Sequence, residues 1–417
     1  MGVVRVKRRS LPGLLLAEIV LVSTSACLCM SDKRDPDTGK IRVLNIGADV
    51  IPGTQSPLVI LLADALIAHQ TVPLYSSIFE AGMTERFMRI YMPRTQDRMK
   101  SDFDLLMISD ATVDNFPPRY FPWMISSVRD GGLGFLTTGG SAMYGGRDSY
   151  LSWDSSTIVE IFAVAFAPRD IYFSGSTRPP VYLAPVEKRN EFIGSLPWET
   201  APPLNYMVHI VQTKQGATTL LKLNVPEEYP ALSYWDFGKG RATNLMFDWY
   251  PWRAAGILEP FQQWTYYIDF ATNLMYFSSG VSVPQDLELV HSIRSLLKLY
   301  VERRTLLVSL LDFVERFGAK VAKMEVEVGS LDLEFARAQT MYRDQDWQGT
   351  KEVLEDLQSR LTKLDDDALR LKDRALLWIY ATEWFVVTAT LFVCGFILWT
   401  LMVRRRLYGE VGVTRLR

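Results

Sequence analysis

The chain has 417 residues, 48% of them hydrophobic, with 45 lysines and arginines against 47 aspartates and glutamates for a formal net charge of -2. That is an ordinary globular balance for a protein that also carries an apolar anchor, and it lacks the basic footprint of a nucleic-acid binder. The three cysteines are Cys27, Cys29 and Cys394, so the body between them has no thiol for a disulfide, a nucleophile or a metal ligand.

Arg5, Lys7, Arg8 and Arg9 precede an apolar stretch from Leu11 to Met30, the layout of a secretory signal. Glu18 interrupts the run, and Thr24-Ser25-Ala26-Cys27 only partly matches a lipoprotein processing site. Residues 1–31 are therefore expected to act as a signal peptide or as an N-terminal anchor. In either role they place the chain after about Asp32 outside the cytoplasm.

From Ile41 to about Gly280 short β-rich runs alternate with amphipathic stretches, as in an α/β domain. IRVLNIG from Ile41 predicts a buried strand, PLVILLADALIAHQ from Pro57 a helix, FMRIYMP from Phe87 a second strand and FDLLMISD from Phe103 a third. A helix is predicted over Pro117 to Arg129, ended by Gly131-Gly132, and LGFLTTGG from Leu133 reads as a fourth strand. This order favours a parallel sheet with right-handed crossovers. ATTLLKL from Ala217 and the segment from Pro230 to Asp248 predict antiparallel strands, the latter folded at a Gly238-Lys239-Gly240 turn. A helix from Glu259 to about Phe277 closes the unit, its aromatic residues spaced for core packing.

After Pro284 the composition shifts to charged, leucine-rich helix formers. One helix is expected from Asp286 to Val328 and another from Ser330 to Met341. A turn at Asp344-Gln345-Asp346 leads to a third, which begins near Trp347 and continues into a membrane span. Leu289, Ile293, Leu296, Leu297 and Tyr300, and later Val353, Leu354, Leu357, Leu361 and Leu364, are spaced for helix-on-helix packing, which makes residues 284–374 a helical stalk. Such helices must pack within the chain or on a partner, either another copy or a second envelope protein. Trp384 to Val403 supplies the roughly 20 uncharged residues that a bilayer core demands, within a transmembrane helix over 379–403. Arg404, Arg405 and Arg406 come directly after it and hold the 404–417 tail in the cytoplasm. The expected location is the cell membrane, single-pass near the C-terminus, with the bulk extracytoplasmic.

The run Phe103-Asp104-Leu105-Leu106-Met107-Ile108-Ser109-Asp110, and after it Val128-Arg129-Asp130-Gly131-Gly132-Leu133-Gly134-Phe135-Leu136-Thr137-Thr138-Gly139-Gly140, resembles the class I glutamine amidotransferase-like domain. Ile193 to Trp198 and Tyr234 to Asp248 fit the same picture, so the resemblance covers residues 41–280. It implies a flavodoxin-like three-layer α/β fold, here with an added antiparallel part, in an archaeal or bacterial envelope protein. Catalytic members of that family carry a cysteine at the elbow between strand and helix, with a histidine and a glutamate near the last strands. In this chain the elbow holds Gly139, Gly140 and Ser141, and the segment where the histidine is expected reads Met246-Phe247-Asp248-Trp249-Tyr250.

The resemblance therefore implies a degenerate site with no catalytic residue. Asp110, Tyr144, Asp248, Trp249, Trp252 and Arg253 are the candidates for contacting a protein or carbohydrate ligand. The alternative is an extracytoplasmic hydrolase of sugar or acyl substrates with Ser141 and Asp248 at its site. A serine nucleophile needs a base, and the chain offers only His69, His209 and His291. No cofactor is expected, because the Gly139-Gly140 and Gly145-Gly146 pairs lack the lysine and spacing of a P-loop. No metal is expected either, since Asp102, Asp104, Asp110 and Asp114 are scattered over a strand and a loop.

Overall fold

The computed structural model describes residues 34–47, 64–74, 81–145, 153–168, 172–174, 180–204, 207–247 and 260–414. The chain divides into two compact units, Met1–Leu287 and Glu288–Arg417. Among the described residues the first unit contributes strands β1 (Ile41–Gly47), β2 (Ile67–Pro73), β3 (Leu105–Ser109), β4 (Gly134–Thr138), β5 (Val164–Phe166) and β6 (Tyr172–Ser174). These are followed by β7 (Leu183–Pro185), β8 (Met207–His209), β9 (Val211–Thr213), β10 (Thr218–Leu223), β11 (Pro230–Phe237) and β12 (Gly240–Leu245). Its helices are α1 (Ala81–Tyr91), α2 (Gln96–Ser101), α3 (Tyr120–Arg129), α4 (Ser141–Tyr144), α5 (Glu191–Gly194) and α6 (Tyr267–Ser279).

Eight strands form one mixed sheet in the order β2-β1-β3-β4-β12-β11-β10-β7. The first five are parallel to one another, and β11, β10 and β7 continue antiparallel. β3 and β4 are buried at every position, and β1 at all but one, as strands covered on both faces require. α6, buried along almost its whole length, packs on β3, β4 and β12, and α3 packs on β12. At the starting end of the parallel strands Arg42 grips Asp104. Its backbone N–H and Nε donate to Oδ2 at 2.8 and 3.0 Å, and Nη2 donates to Oδ1 at 2.8 Å, which pins β1 to β3.

The first unit departs from the expected elements at three places. The helix expected from Pro57 to Gln70 is, over its last four residues, part of the strand β2, and residues 48–63 lie outside the described residues. A short apolar run is ambiguous by periodicity, and β2 takes the edge of the sheet, where its His69 and Gln70 stay exposed. FMRIYMP from Phe87 is not the second strand. Phe87 to Tyr91 belongs to α1, which buries Thr84 and Met88 four residues apart and packs on β2. The last helix also begins later than expected, at Tyr267, after a 3-10 turn over Pro260–Gln263.

The second unit consists of α7 (Leu287–Arg316), α8 (Ala322–Arg343) and α9 (Trp347–Thr414). The helix expected to run unbroken from Asp286 to Val328 instead stops at Arg316, where Gly318 takes a left-handed φ of 82° and ends it. In α9 the buried residues Thr350, Leu354, Leu357, Leu361, Leu364 and Ala368 recur at alternating steps of four and three, the heptad signature of coiled-coil packing. Ile293, Tyr300, Leu307, Leu311 and Val314 on α7, and Val328, Leu331, Ala338 and Tyr342 on α8, are separated by steps of three, four or seven that keep the same heptad.

Polar ties set the pairing of these helices. Arg304 meets Asp332 in a two-point bridge at 2.6 and 2.7 Å, and the Tyr300 hydroxyl donates to the same carboxylate at 3.2 Å. Arg303 donates to Asp365, and Arg360 to Glu327. α9 runs for 68 residues, roughly 100 Å. Its C-terminal part is long and apolar enough to cross a membrane, and none of that stretch is buried inside the protein.

Removing Asp104 takes away the acceptor of three donors and leaves the part-exposed Arg42 guanidinium with Ser101 O and Asp35, so Asp104→Ala should cost about 1–3 kcal/mol in urea unfolding. An unchanged midpoint would count against the clamp. In the bundle the hydrogen bonds from Arg304 hold the Asp332 carboxyl below its usual range. A carboxyl depressed on folding stabilises fully above its unfolded value, near 4, and loses that contribution as pH falls through the lower folded value. Asp332→Asn should therefore lose about 1 kcal/mol at pH 7, a figure discounted for the pair's partial exposure. The gap from wild type should close toward pH 3 in thermal melts followed by circular dichroism. A gap that stays constant with pH would remove the ionic interpretation.

Candidate functional site

In an open parallel sheet, ligand crevices form at the carboxyl ends of the strands. Here β3 and β4 end side by side at Ser109 and Thr138, whose hydroxyls lie 3.2 Å apart. The next residue on each strand is unusual. Asp110 has a φ of 45°, a left-handed conformation that costs a non-glycine residue about 1–3 kcal/mol, and its N–H donates to Thr138 O at 2.9 Å. Gly139 has a φ of 146°, and a Cβ there would come within 2.7 Å of Met143 Cγ and 3.0 Å of Asp110 Cα. Only glycine fits this turn without displacing its neighbours. The chain then enters α4 at Ser141, with the N–H groups of Met143 and Tyr144 both donating to Gly140 O at 3.0 and 2.9 Å. A sharp elbow between strand and helix results, and α4, with four residues, is too short to build much of a dipole.

A buried polar network braces this elbow from beneath. The Tyr144 hydroxyl shares a 2.6 Å hydrogen bond with that of Thr137 and donates to Thr137 O at 3.2 Å. Asn244 on β12 donates from Nδ2 to Thr137 Oγ1 at 2.5 Å, while its Oδ1 accepts from the Ala163 N–H at 2.7 Å. Burial pushes the Tyr144 phenol well above its ordinary range, so it stays neutral. The ring lies 6.4 Å from Phe162 and 6.3 Å from Phe166, within an aromatic cluster that includes Trp153, whose Nε1 donates to Ala111 O at 2.9 Å.

The structure thus brings Asp110, Gly139, Gly140, Ser141 and Tyr144 together at one strand end. Tyr144 is buried beneath the turn and presents no surface. Asp248, Trp249, Trp252 and Arg253 lie outside the described residues. Two other tryptophans of the aromatic-rich region are structural: Trp235 Nε1 donates to Ile161 O at 2.6 Å, and Trp264 Nε1 donates to Thr200 Oγ1 at 2.9 Å. Asp104 is held by Arg42 at the opposite end of β3 from Asp110, so these two acids cannot share one ion.

Thr137 and Asn244 are not among the residues that the sequence singles out. The signal for Asn244 is a lone amide inside an otherwise buried strand. His209, at the end of β8, is fully buried, and its backbone N–H donates to Met246 O at 3.2 Å. The neighbouring Phe247 O accepts from the Gly139 N–H at 3.3 Å, so β8 ends close to the elbow.

No protein-family model matches the chain, and no match is found among curated proteins. Among solved structures, two proteins described as cytoplasmic proteins of Salmonella typhimurium superpose with TM-scores of 0.46 and 0.45, at 16% and 18% identity. They cover 58% and 57% of this chain and 100% and 99% of their own. A β-galactosidase from Rahnella sp. R3 gives a TM-score of 0.32 at 14% identity, over 59% of this chain and 32% of that enzyme. Likenesses at this level assign neither a family nor an activity.

The elbow geometry has a direct test. Gly139→Ala must force a Cβ against Met143 and Asp110 in a backbone conformation that alanine disfavours, so it should lower stability by about 1–3 kcal/mol. The expected readout is a lower urea midpoint at an unchanged denaturant slope. A midpoint equal to or above wild type would show that the turn relaxes freely.

Proposed function

We propose that this chain is a non-catalytic binding or scaffold protein of the cell envelope, held in the membrane by the end of α9 with its first unit outside the cytoplasm. The observation that carries this reading is the continuity of α9: one unbroken helix packs in the bundle through its heptad positions and then runs on as the apolar stretch. Anchor and bundle are then parts of one helix, which suits a protein that works while tethered at the bilayer. The cations Arg404, Arg405 and Arg406 directly after the apolar stretch support a cytoplasmic tail.

The first unit fits a degenerate amidotransferase-like domain. Its five parallel strands, in the order β2-β1-β3-β4-β12, match the 2-1-3-4-5 order of flavodoxin-like sheets. In this reading the elbow corresponds to the place where the family keeps a cysteine, held here by Gly139, Gly140 and Ser141. In this reading Asp110, with Asp248, Trp249, Trp252 and Arg253 from the segment after β12, contacts a protein or carbohydrate ligand. Fold alone does not assign chemistry, so the ligand class rests on these side chains.

One observation favours the second reading, a hydrolase of sugar or acyl substrates using Ser141 and Asp248. The backbone of His209 bonds Met246 O, and the adjacent Phe247 O accepts from the Gly139 N–H, so the strand carrying a histidine runs beside the segment that meets the elbow.

Under the first reading the purified full-length protein releases no ammonia from glutamine and shows no esterase or glycosidase turnover that depends on Ser141. Protease added to intact cells digests the first unit and spares a C-terminal tag. Turnover abolished by both Ser141→Ala and His209→Ala would establish the hydrolase instead, and a tag lost before lysis would reverse the topology.

A further inference from the structure

We infer that the connection between α7 and α8 is a second membrane contact, which lays Phe317 and its basic neighbours on the headgroups of the leaflet that α9 enters. The inference rests on the reading that α9 spans the bilayer, and four observations within the second unit carry it.

The first is register. Arg303 on α7 donates to Gln358, Thr362 and Asp365 on α9, partners 55 to 62 residues further along a parallel helix. That pairing carries the end of α7, at Arg316, to the stretch Leu371–Trp378. The second is burial. Ala375 is buried, Leu377, Trp378 and Tyr380 are exposed, and no residue of α9 beyond Ala375 is buried among those described. The bundle therefore ends within about one helical turn, or roughly 5 Å, of Trp378. Trp378, Tyr380 and Trp384 are the amphipathic rings expected at the boundary of water and lipid.

The third observation is apolar exposure at this level. Phe313 and Phe317 are exposed by 40% and 48%, and their rings meet edge to face at 4.9 Å, so the tip presents an aromatic pair rather than folding it inward. The fourth is charge. Arg316 to Lys323 carries Arg316, Lys320 and Lys323 with no carboxylate among them, and all three cations are exposed. Asp312 bridges Arg316 from one turn back at 3.2 Å, and Glu315 and Glu325 flank the segment. Exposed rings beside exposed cations, at the level of the aromatic belt, match the chemistry of an anionic lipid surface. Gly318 and Ala319 between them keep the turn narrow, and Val314 and Val321 hold its base in the bundle.

The test uses the full-length chain in nanodiscs carrying a photoreactive lipid, with adducts mapped by mass spectrometry. We expect adducts on peptides spanning Phe313–Lys323 as well as on Trp384–Val403. Labelling of the tip should rise about fivefold when phosphatidylglycerol replaces phosphatidylcholine. Lys320→Glu with Lys323→Glu should abolish that rise, and Phe317→Ser should abolish tip labelling while helix content is unchanged. Adducts on the span with none on the tip would overturn the inference. Absence of adducts on both would instead refute the span itself. Crosslinks between copies through Lys320, in place of lipid adducts, would assign the tip to a second copy of the chain and likewise overturn it.

Discussion

Asn244 occupies the seam where the sheet changes from parallel to antiparallel, and much of the first unit depends on how its amide is satisfied. β12 pairs with β4 on one side and β11 on the other, so no water reaches the side chain to compensate a missing partner. Both ends of the amide are used, the oxygen by the Ala163 N–H and the nitrogen by Thr137. An unpaired buried amide would cost about 1–3 kcal/mol, so the network is fixed in one arrangement. Through Thr137 the constraint reaches Tyr144, whose buried ring and neutral hydroxyl set where α4 can lie. The elbow at Gly139 depends on that support as much as on its own glycine.

This arrangement separates geometry from chemistry. A strained Asp110, a left-handed Gly139 and a serine at the head of a short helix form a turn of the kind that exposes a nucleophile. Yet a serine hydroxyl is a weak nucleophile without an oriented base, and a thiol is absent from the whole body of the protein. The elbow is thus a feature of backbone geometry, with Asp110 and Gly139 holding the chain in conformations that few residues adopt.

The second unit solves a different problem. Three helices with heptad-spaced apolar residues have several registers of similar energy, and charged groups at the seam select one. Arg304 and Tyr300 both act on Asp332, while Arg303 and Arg360 tie α9 to α7 and α8 in turn. These contacts are part-exposed and individually modest, so their effect is on pairing rather than on total stability. Because α9 continues beyond the bundle, its register also sets which residues of α7 and α8 lie nearest the apolar stretch.

Local pattern determined a good part of this protein. β1, β3, β4 and the β11–β12 hairpin are legible as apolar runs bounded by turn residues, and the apolar end of α9 as an uncharged stretch of bilayer length. The elbow's glycines and serine are likewise visible in order along the chain. Tertiary structure decided the rest. Ile67–Pro73 became a strand because the edge of the sheet beside β1 was open to it, and Phe87 to Tyr91 became helix because Thr84 and Met88 pack on that same strand. The meeting of Thr137 with Asn244, 107 residues apart, and of Gly139 with Phe247, depends on strand order, which no short-range periodicity encodes. Spacing along the chain reports which face of an element is apolar, but the partner on the other side of that face is chosen only when the elements pack.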